Sequence, residues 1–595
     1  MANFFIDIPP GVFTDSTPYS LGARWTDCDH IRFWENQPQK IGGGQRFSSS
    51  PAVVLPGRTR TLTEWTELAG TRNLGFGSNY GAYIFRQGAI TDITPYRITN
   101  SLTDPFYTTT GSATVTIEDV DHGAVVGDRI TLSTTVSVGG LSLSGTYSVV
   151  SVVDDDNYTI TASANATSSV SGGGGAIDIS YTTNVTSQDA VLGFGWGTGL
   201  WNTSTWGTPR SSGVVTLDIG FWFMDSWGED LIINQREGAA YLWDASSPTA
   251  RATLISNAPP VITQALVSTP DRHMICFGAV PVGGSAADFD PMLVRWSDQE
   301  DYTTWTPSAT NTAGDQRLAQ GNRIIGARKS RGQLLIWTDT AMFAMQYLGP
   351  PFTFGFTPLG VNCGVNGPNA MATYEDVAFW MGCDNFYIYD GAIKILDCSV
   401  KNYVFDDINR TQIEKVYCAF NREWNEVWWF YPSASSTECN RYVKYNYRLN
   451  CWDYGTMART VFADSPLFNN PIAVDPDGEI YFHEIGANAV TAPLPAHIEW
   501  GALEIGQGDT LTFVDKLIPD TRLQSGKELQ LTLYTKRYPN APTITKGPYT
   551  TTDTTEKISM RARFRQCGGR FESSDLGNDW RLGRWRMNGQ PDGRR

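Results

Sequence analysis

The feature that most constrains this chain is a recurring pair of short aromatic strands parted by Gly, Asn or Asp turns. It first shows as Asn73-Leu74-Gly75-Phe76-Gly77, then Ala82-Tyr83-Ile84-Phe85 and Ile90-Thr91-Asp92-Ile93. It returns at residues 230–234 with 240–244, 333–337 with 341–345, 377–380 with 386–391, and 426–431 with 441–445. A weaker copy lies at residues 471–474 with 479–482. Aromatic and β-branched residues suit a pleated, half-buried surface. Gly, Asn and Asp supply the backbone angles that tight turns need. One small antiparallel sheet cannot bury both its faces alone, so copies must stack, and radial stacking predicts an all-β protein with a β-propeller body. The spacing is irregular, so a series of unrelated β-sandwiches is the competing reading, and the number of blades stays open.

At 595 residues the chain is long enough for roughly three to five domains. Residues 1–57 read as an extended arm with first strands. Phe4, Ile6 and Ile8 alternate with polar residues until Pro9-Pro10-Gly11, and Ile31 and Phe33 share a strand face opposite Arg32. Residues 58–107 read as the first part of the propeller and 183–495 as its remaining blades. Between them, residues 108–182 are rich in Ser, Thr, Val and Gly and read as an inserted small β-barrel or sandwich. Its strand through Val149–Val153 is expected to end in a hairpin turn at Asp154-Asp155-Asp156-Asn157, and its Ser-Gly run at 168–175 to be a flexible return. Residues 496–595 read as a C-terminal antiparallel β domain. Leu529, Leu531 and Leu533 alternate with polar residues, as do Ala562, Phe564 and Gln566 with Arg561, Arg563 and Arg565, giving a cationic outer face.

The formal charge is −16, which argues against a general nucleic-acid binder. From Glu556 to Arg595 ten Lys/Arg stand against five Asp/Glu, so the rest of the chain carries −21. This basic tail is expected to face solvent or a partner. The nine Cys form no C-x-x-C pair, which disfavours a zinc site and fits buried thiols in a reducing cytoplasm, although five fall between Cys383 and Cys451 and leave one disulfide open there. The N-terminus lacks the pattern of a signal peptide, and no stretch reaches the ~20 apolar residues of a membrane helix, so no membrane segment is expected.

Catalysis needs a constellation, and none stands out. His30, His122, His273, His483 and His497 match no metalloprotease or nucleophile–base pattern, and His122 before Gly123 is read as shaping a turn. Gly42-Gly43-Gly44 and Gly172-Gly173-Gly174-Gly175 lack the Lys-Ser/Thr of a phosphate loop. Asp154-Asp155-Asp156 has no calcium-loop spacing. The most enzyme-like run is Ser297-Asp298-Gln299-Glu300-Asp301-Tyr302-Thr303-Thr304-Trp305, distantly similar to the Asp-box turns of sialidase-type propellers, which are structural even in enzymes. Hydrolysis of a glycoside would need a specific carboxylate pair, and 61 acidic residues nominate none. No catalytic, cofactor-binding or metal-binding residues and no cofactor are therefore assigned, and the chain is not expected to be an enzyme.

Three segments together resemble the tail hub, or nozzle, proteins of podovirus-like phages. They are Ile8-Pro9-Pro10-Gly11 … Arg24-Trp25 … Ile31-Arg32-Phe33 … Pro38-Gln39-Lys40-Ile41-Gly42-Gly43; Arg295-Trp296-Ser297-Asp298 … Trp305-Thr306-Pro307 … Asn311-Thr312-Ala313-Gly314; and Arg561 … Phe571-Glu572-Ser573 … Trp580-Arg581-Leu582-Gly583 … Pro591-Asp592-Gly593-Arg594-Arg595. Residues 108–182 are similar to a small β module also found in ubiquitin-activating enzymes, without its chemistry. The resemblance implies a propeller body in a homohexameric ring, docked on the adaptor (head–tail connector) below the portal, with sites for tail fibres or spikes. A tail needle or plug is a further candidate partner. Such a protein belongs to the virion's short tail, is assembled in the host cytoplasm, and passes double-stranded DNA transiently and without sequence preference. An acidic bore would suit this, because it offers phosphate no counterion-release binding. A receptor- or glycan-binding propeller is the alternative, and a polysaccharide-degrading tail enzyme a lesser one.

Overall fold

A computed structural model describes residues 2–47, 53–190, 218–269, 271–504 and 510–593. Arg594 and Arg595, the end of the third resembling segment, lie outside the described residues. The chain forms two compact units. One comprises residues 1–54, 328–344 and 357–595, the other residues 55–327 and 345–356.

The second unit contains three four-stranded antiparallel sheets in succession: residues 59–92, 222–254 and 262–317. In the middle sheet, alternate residues of the strand Asp230–Gln235 serve two different layers. Leu231 and Ile233 pack with Trp65, Ala82 and Ile84 of the sheet before, while Ile232 packs with Ile262, Met274 and Cys276 of the sheet after. The strands Ile262–Val267 and Met274–Ala279 are buried at every position. This is why such segments read as unbroken apolar runs: both faces are covered.

The first unit repeats the design. Sheets at residues 371–396 and 417–456 are followed by one built from Val461–Ala463, Ile472–Val474 and Ile480–His483. Trp428 and Phe430 pack against Phe462 and Ala473, while Trp429, on the opposite face, lies 4.9 Å from Phe386 by ring centroid. The chain leaves the second unit after residue 327, returns to it for residues 345–356, and then stays in the first. All-β content and this succession of four-stranded antiparallel sheets are those of a β-propeller. The last sheet takes its next strand, Gly44–Arg46, from the start of the chain, antiparallel to Ile480–His483.

The inserted module begins earlier than residue 108. Tyr96–Leu102 pairs along its length with Ile177–Thr182, so both ends of the insertion sit on adjacent strands. Its two sheets enclose a core of their own, including Phe106, Ile117, Ile130, Leu143, Tyr158 and Tyr181. The expected strand through Val149–Val153 is broken. Leu141–Ser148 ends in one sheet, buried Val149 donates its N–H to the Asp128 carbonyl, and Ser151–Val152 resumes in the other sheet. Asp154 does make the turn, accepting from the Asp156 N–H and the Asn157 side chain. The Ser-Gly run is not wholly loose, since Ser171–Gly172 pairs with Phe106–Tyr107.

Residues 1–57 are not a separate arm. Their strands interleave with those after residue 496 in one terminal domain. Ala2–Ile6 pairs with Trp585–Pro591, which pairs with Thr512–Ile518 and, through it, Ile558–Phe564. Trp25–Asp29 opens a five-stranded sheet through Ala496–Glu504, Gln566–Ser573, Leu529–Lys536 and Ile544–Thr551. Gln37–Lys40, beside Ile31–Trp34, meets Trp580–Leu582. The core is aromatic: the Trp585 ring lies 5.9, 5.3 and 5.3 Å from those of Trp25, Trp500 and Phe571. Gly569 allows Trp500 this close approach, for a Cβ there would lie 2.2 Å from the indole. The Arg561–Gln566 alternation is as expected, but Ile558–Phe564 and Gln566–Ser573 belong to different sheets, so the chain changes sheet at Arg565.

Candidate functional site

Three polar constellations are notable among the described residues: one joins the terminal domain to propeller sheets, one lies within the terminal domain and one in the second unit. The first is an ionic cluster around Arg32. Ile31–Trp34 is buried at Ile31, Arg32 and Phe33 alike, so the face opposite Ile31 and Phe33 is not solvated. Arg32 donates to Glu426 through Nε at 3.2 Å and Nη2 at 3.0 Å, and to Glu484 through Nη1 at 2.8 Å and Nη2 at 2.6 Å. Its guanidinium lies 4.2 Å from the Trp424 ring. Lys444 donates to Glu426 at 3.0 Å, and its Nζ is 3.4 Å from Asp453. Burial pushes the Asp453 carboxyl up to about 8, more than Lys444 lowers it. With Asp453 protonated, two cations face two carboxylates and the cluster is neutral, which is how buried charge is tolerated. Burial raises the Glu484 carboxyl, but Arg32 outweighs this and holds it below the usual range. The cluster fastens the N-terminal strand to two propeller sheets.

The second constellation lines a cavity of about 600 Å³ with Phe13, Asp27, Glu499, Trp500, Tyr534 and Lys536 on its walls. Asp27 and Glu499 are directly paired across adjacent strands. Burial pushes Asp27 up, but hydrogen bonds from His497 at 3.0 Å and Tyr454 at 2.8 Å outweigh it and leave the carboxyl below its ordinary value. Burial and the neighbouring Asp27 charge push Glu499 up. Paired carboxylates driven apart in this way are the starting material of acid–base chemistry. Here Asp27 is already committed to His497 and Tyr454, so the pair's evident work is to join Trp25–Asp29 to its neighbours. Local pattern could not reveal the pair, because 472 positions separate the two residues.

The Asp-box-like run is a turn held by its own threonines and by Thr312 and Arg295 beyond its ends. Asp301 accepts from the Thr303 N–H and hydroxyl and the Thr304 hydroxyl. Asp298 accepts from the Gln299 N–H and from both the N–H and hydroxyl of Thr312. Buried Trp305 donates its indole N–H to the Tyr302 carbonyl, and Arg295 donates to the Val280 and Trp305 carbonyls. His273 lies between Asp271 at 3.0 Å and Thr312 at 3.1 Å. Although this order imitates a nucleophile relay, the Thr312 hydroxyl is spent on Asp298, so the group holds the turn.

The remaining residues singled out by sequence take structural places. His122 is buried, its Nδ1 accepting from the Ala124 N–H, which shapes the turn. His30 is 2.8 Å from the Pro495 carbonyl, and His483 accepts from Arg459 at 2.9 Å. Gly42 donates its N–H to Glu484. Eight cysteines are buried and Cys383 is exposed. Among the described residues no group of three or more His, Cys, Asp or Glu is arranged to hold a metal ion, and no helix is long and apolar enough to cross a membrane.

No protein-family model and no curated protein matches the chain. Solved structures similar to it are β-propeller proteins. They include the endosialidase of phage phi92, at 12% identity and TM-score 0.20, covering 72% of this chain and 64% of that one. Sqt1 of Saccharomyces cerevisiae follows at 8% identity and TM-score 0.30, covering 60% and 94%. The N-terminal domain of Nup159 has 10% identity and TM-score 0.26, covering 44% and 76%. The chain thus spans under two thirds of the phage enzyme's length. The propeller class rests on the chain's own sheets.

Proposed function

We propose that this chain is a structural protein of a short-tailed phage virion, forming the ring-shaped tail hub or nozzle through which DNA leaves the capsid. The observation that carries the reading is where the resembling segments fall. The opening and closing segments, at opposite ends of the sequence, build one domain: Trp25 packs on Trp585, Gln39 pairs with Arg581, and Arg581 donates to the Trp34 carbonyl at 3.1 Å. In the middle segment, Arg295, Asp298, Trp305 and Thr312 hold one turn together. Residues that carry the resemblance, Trp25, Gln39 and Arg581 among them, thus join strands from the two ends of the chain. The acidic balance of the chain suits a passage that polyanions cross without sticking. In this reading the protein is not an enzyme. It meets the adaptor below the portal and carries fibres or spikes.

The test is imaging of the purified protein, alone and with its portal–adaptor complex, together with its detection in mature particles. A ring with an axial opening is expected. A protein that stays monomeric with the adaptor, or is missing from particles, refutes the proposal.

A further inference from the structure

The outer face of the four-stranded terminal sheet is basic and partly aromatic. Pairing places Phe5 opposite Arg586, Lys516 opposite Ser559, and Phe513 opposite Arg563, with Arg561 between the last two positions on the same face. The other face is buried through Met587, Val514, Leu517, Met560, Ala562 and Phe564. Arg561, Arg563 and Arg586 are exposed, and Phe5 is 63% exposed beneath the Arg586 guanidinium, 4.7 Å away. A hollow of about 620 Å³ opens beside Phe513, Tyr549, Lys546 and Arg561.

The inserted module is the opposite. From Tyr96 to Thr182 it carries nine Asp/Glu and two Arg, a net of −7. None of its exposed charged residues is a cation, and four exposed carboxylates, Asp121, Asp154, Asp155 and Asp156, gather at one end. That end is stitched by the Asp119 N–H donating to the Asp156 carbonyl and the Gly127 N–H to the Val149 carbonyl. Val120 and Val153 adjoin Asp121 and Asp154 in sequence, and Val126 precedes the Gly127 bonded to Val149; they are exposed by 68, 61 and 61% in the order Val120, Val126, Val153. Isolated surface valines are ordinary, but several grouped among like charges mark a contact surface.

We propose that the basic face of one copy's terminal domain docks on the acidic, valine-bearing end of the inserted module of a second copy. The inference rests on the ring reading above and names the surfaces of its contact. A head-to-tail contact between unlike patches is what generates a ring. Opposite charge fixes its register and speeds encounter. Arg and aromatic side chains on one side, with apolar surface on the other, are the composition of an interface core. Duplex DNA fits the basic face less well. Asp592 already holds Arg563 at 2.6 Å, and Asp515 lines the hollow, so the patch is short and of mixed sign.

The test uses two variants of the full chain: Lys516→Glu with Arg561→Glu on the face, and Val126→Arg with Asp155→Arg on the module. Mass photometry at low salt is expected to show at least tenfold weaker assembly for each alone, at unchanged thermal unfolding. An equimolar mixture is expected to return to wild-type assembly, because each variant supplies the charge the other lacks. Failure of the mixture to recover, or wild-type rings from either variant alone, overturns this contact while leaving the conduit reading standing. A wild-type chain that never assembles, even with the portal–adaptor complex, sinks both. Retention of duplex DNA by the wild type that is lost in the face variant, with assembly unchanged, makes the face a DNA surface and also overturns the proposal.

Discussion

Replacing Arg32 by Met is the sharpest probe of how the terminal domain is joined to the propeller sheets. The Met stem keeps part of the packing on Trp424 but removes four hydrogen bonds to two carboxylates. Breaking a buried ion pair by deleting one partner costs about 3–5 kcal/mol. Glu426 retains Lys444 and the Trp428 indole N–H, and Glu484 retains Asn421 and the Gly42 N–H, so the loss should stay within that range. It should also depend on pH. In the wild type Glu484 is held below its unfolded value, so its contribution is present above that value and is lost as pH falls through the lower, folded one. Without Arg32 burial dominates, the carboxyl rises above its unfolded value, and the folded state is penalised most at neutral pH. The gap between wild type and variant is therefore widest near pH 7–8 and narrows toward pH 4. Amide exchange of Ile31–Trp34 and Glu426–Tyr431 in native buffer measures the local stability directly. A loss under about 1 kcal/mol, or one constant from pH 8 to pH 4, would refute the reasoning.

Trp429→Ala should cost about 3–5 kcal/mol by leaving a cavity beside Phe386 and Trp452, read as a lower urea midpoint of the first unit's tryptophan fluorescence. Asp27→Asn should lower stability at neutral pH by about 1 kcal/mol. The depressed carboxyl contributes only above its unfolded value and loses that contribution as pH falls through its folded value, so the variant's acid unfolding limb should be flatter than the wild type's. Residues 96–182 should fold alone, giving a cooperative thermal transition by circular dichroism, because their core is complete and their ends are paired. Gly569→Ala should destabilise the terminal domain, since the added methyl meets the Trp500 indole. Proteolysis that releases the C-terminal strands no faster than in the wild type would count against this.

Local pattern carried far. The aromatic hairpins were legible because a strand covered on both faces must be apolar throughout, as Trp428-Trp429-Phe430-Tyr431 is. The Leu529–Leu533 alternation gave a one-sided strand for the same reason in reverse. What stayed hidden depends on distant partners. Arg32 gives no local hint that Glu426 and Glu484 will neutralise it, so its burial could not be read from its neighbours. Likewise nothing within residues 2–6 announces pairing with residues 585–591. The module's first strand, Tyr96–Leu102, escaped because its residues are polar or partly exposed on both faces. At Val149 the strand pattern continues in the sequence while the chain crosses between sheets, since β-branched residues suit either side of the crossing.

The pairing of Gly44–Arg46 with Ile480–His483 bears on how the polypeptide is made. A ribosome working at about 5–20 residues per second exposes the early strand roughly 20–90 s before its partner emerges. Through that interval Gly44–Arg46 has no partner, and its open edge could pair with other nascent chains. Folding should therefore be sensitive to translation speed and to the supply of chaperones that shield unpaired strands.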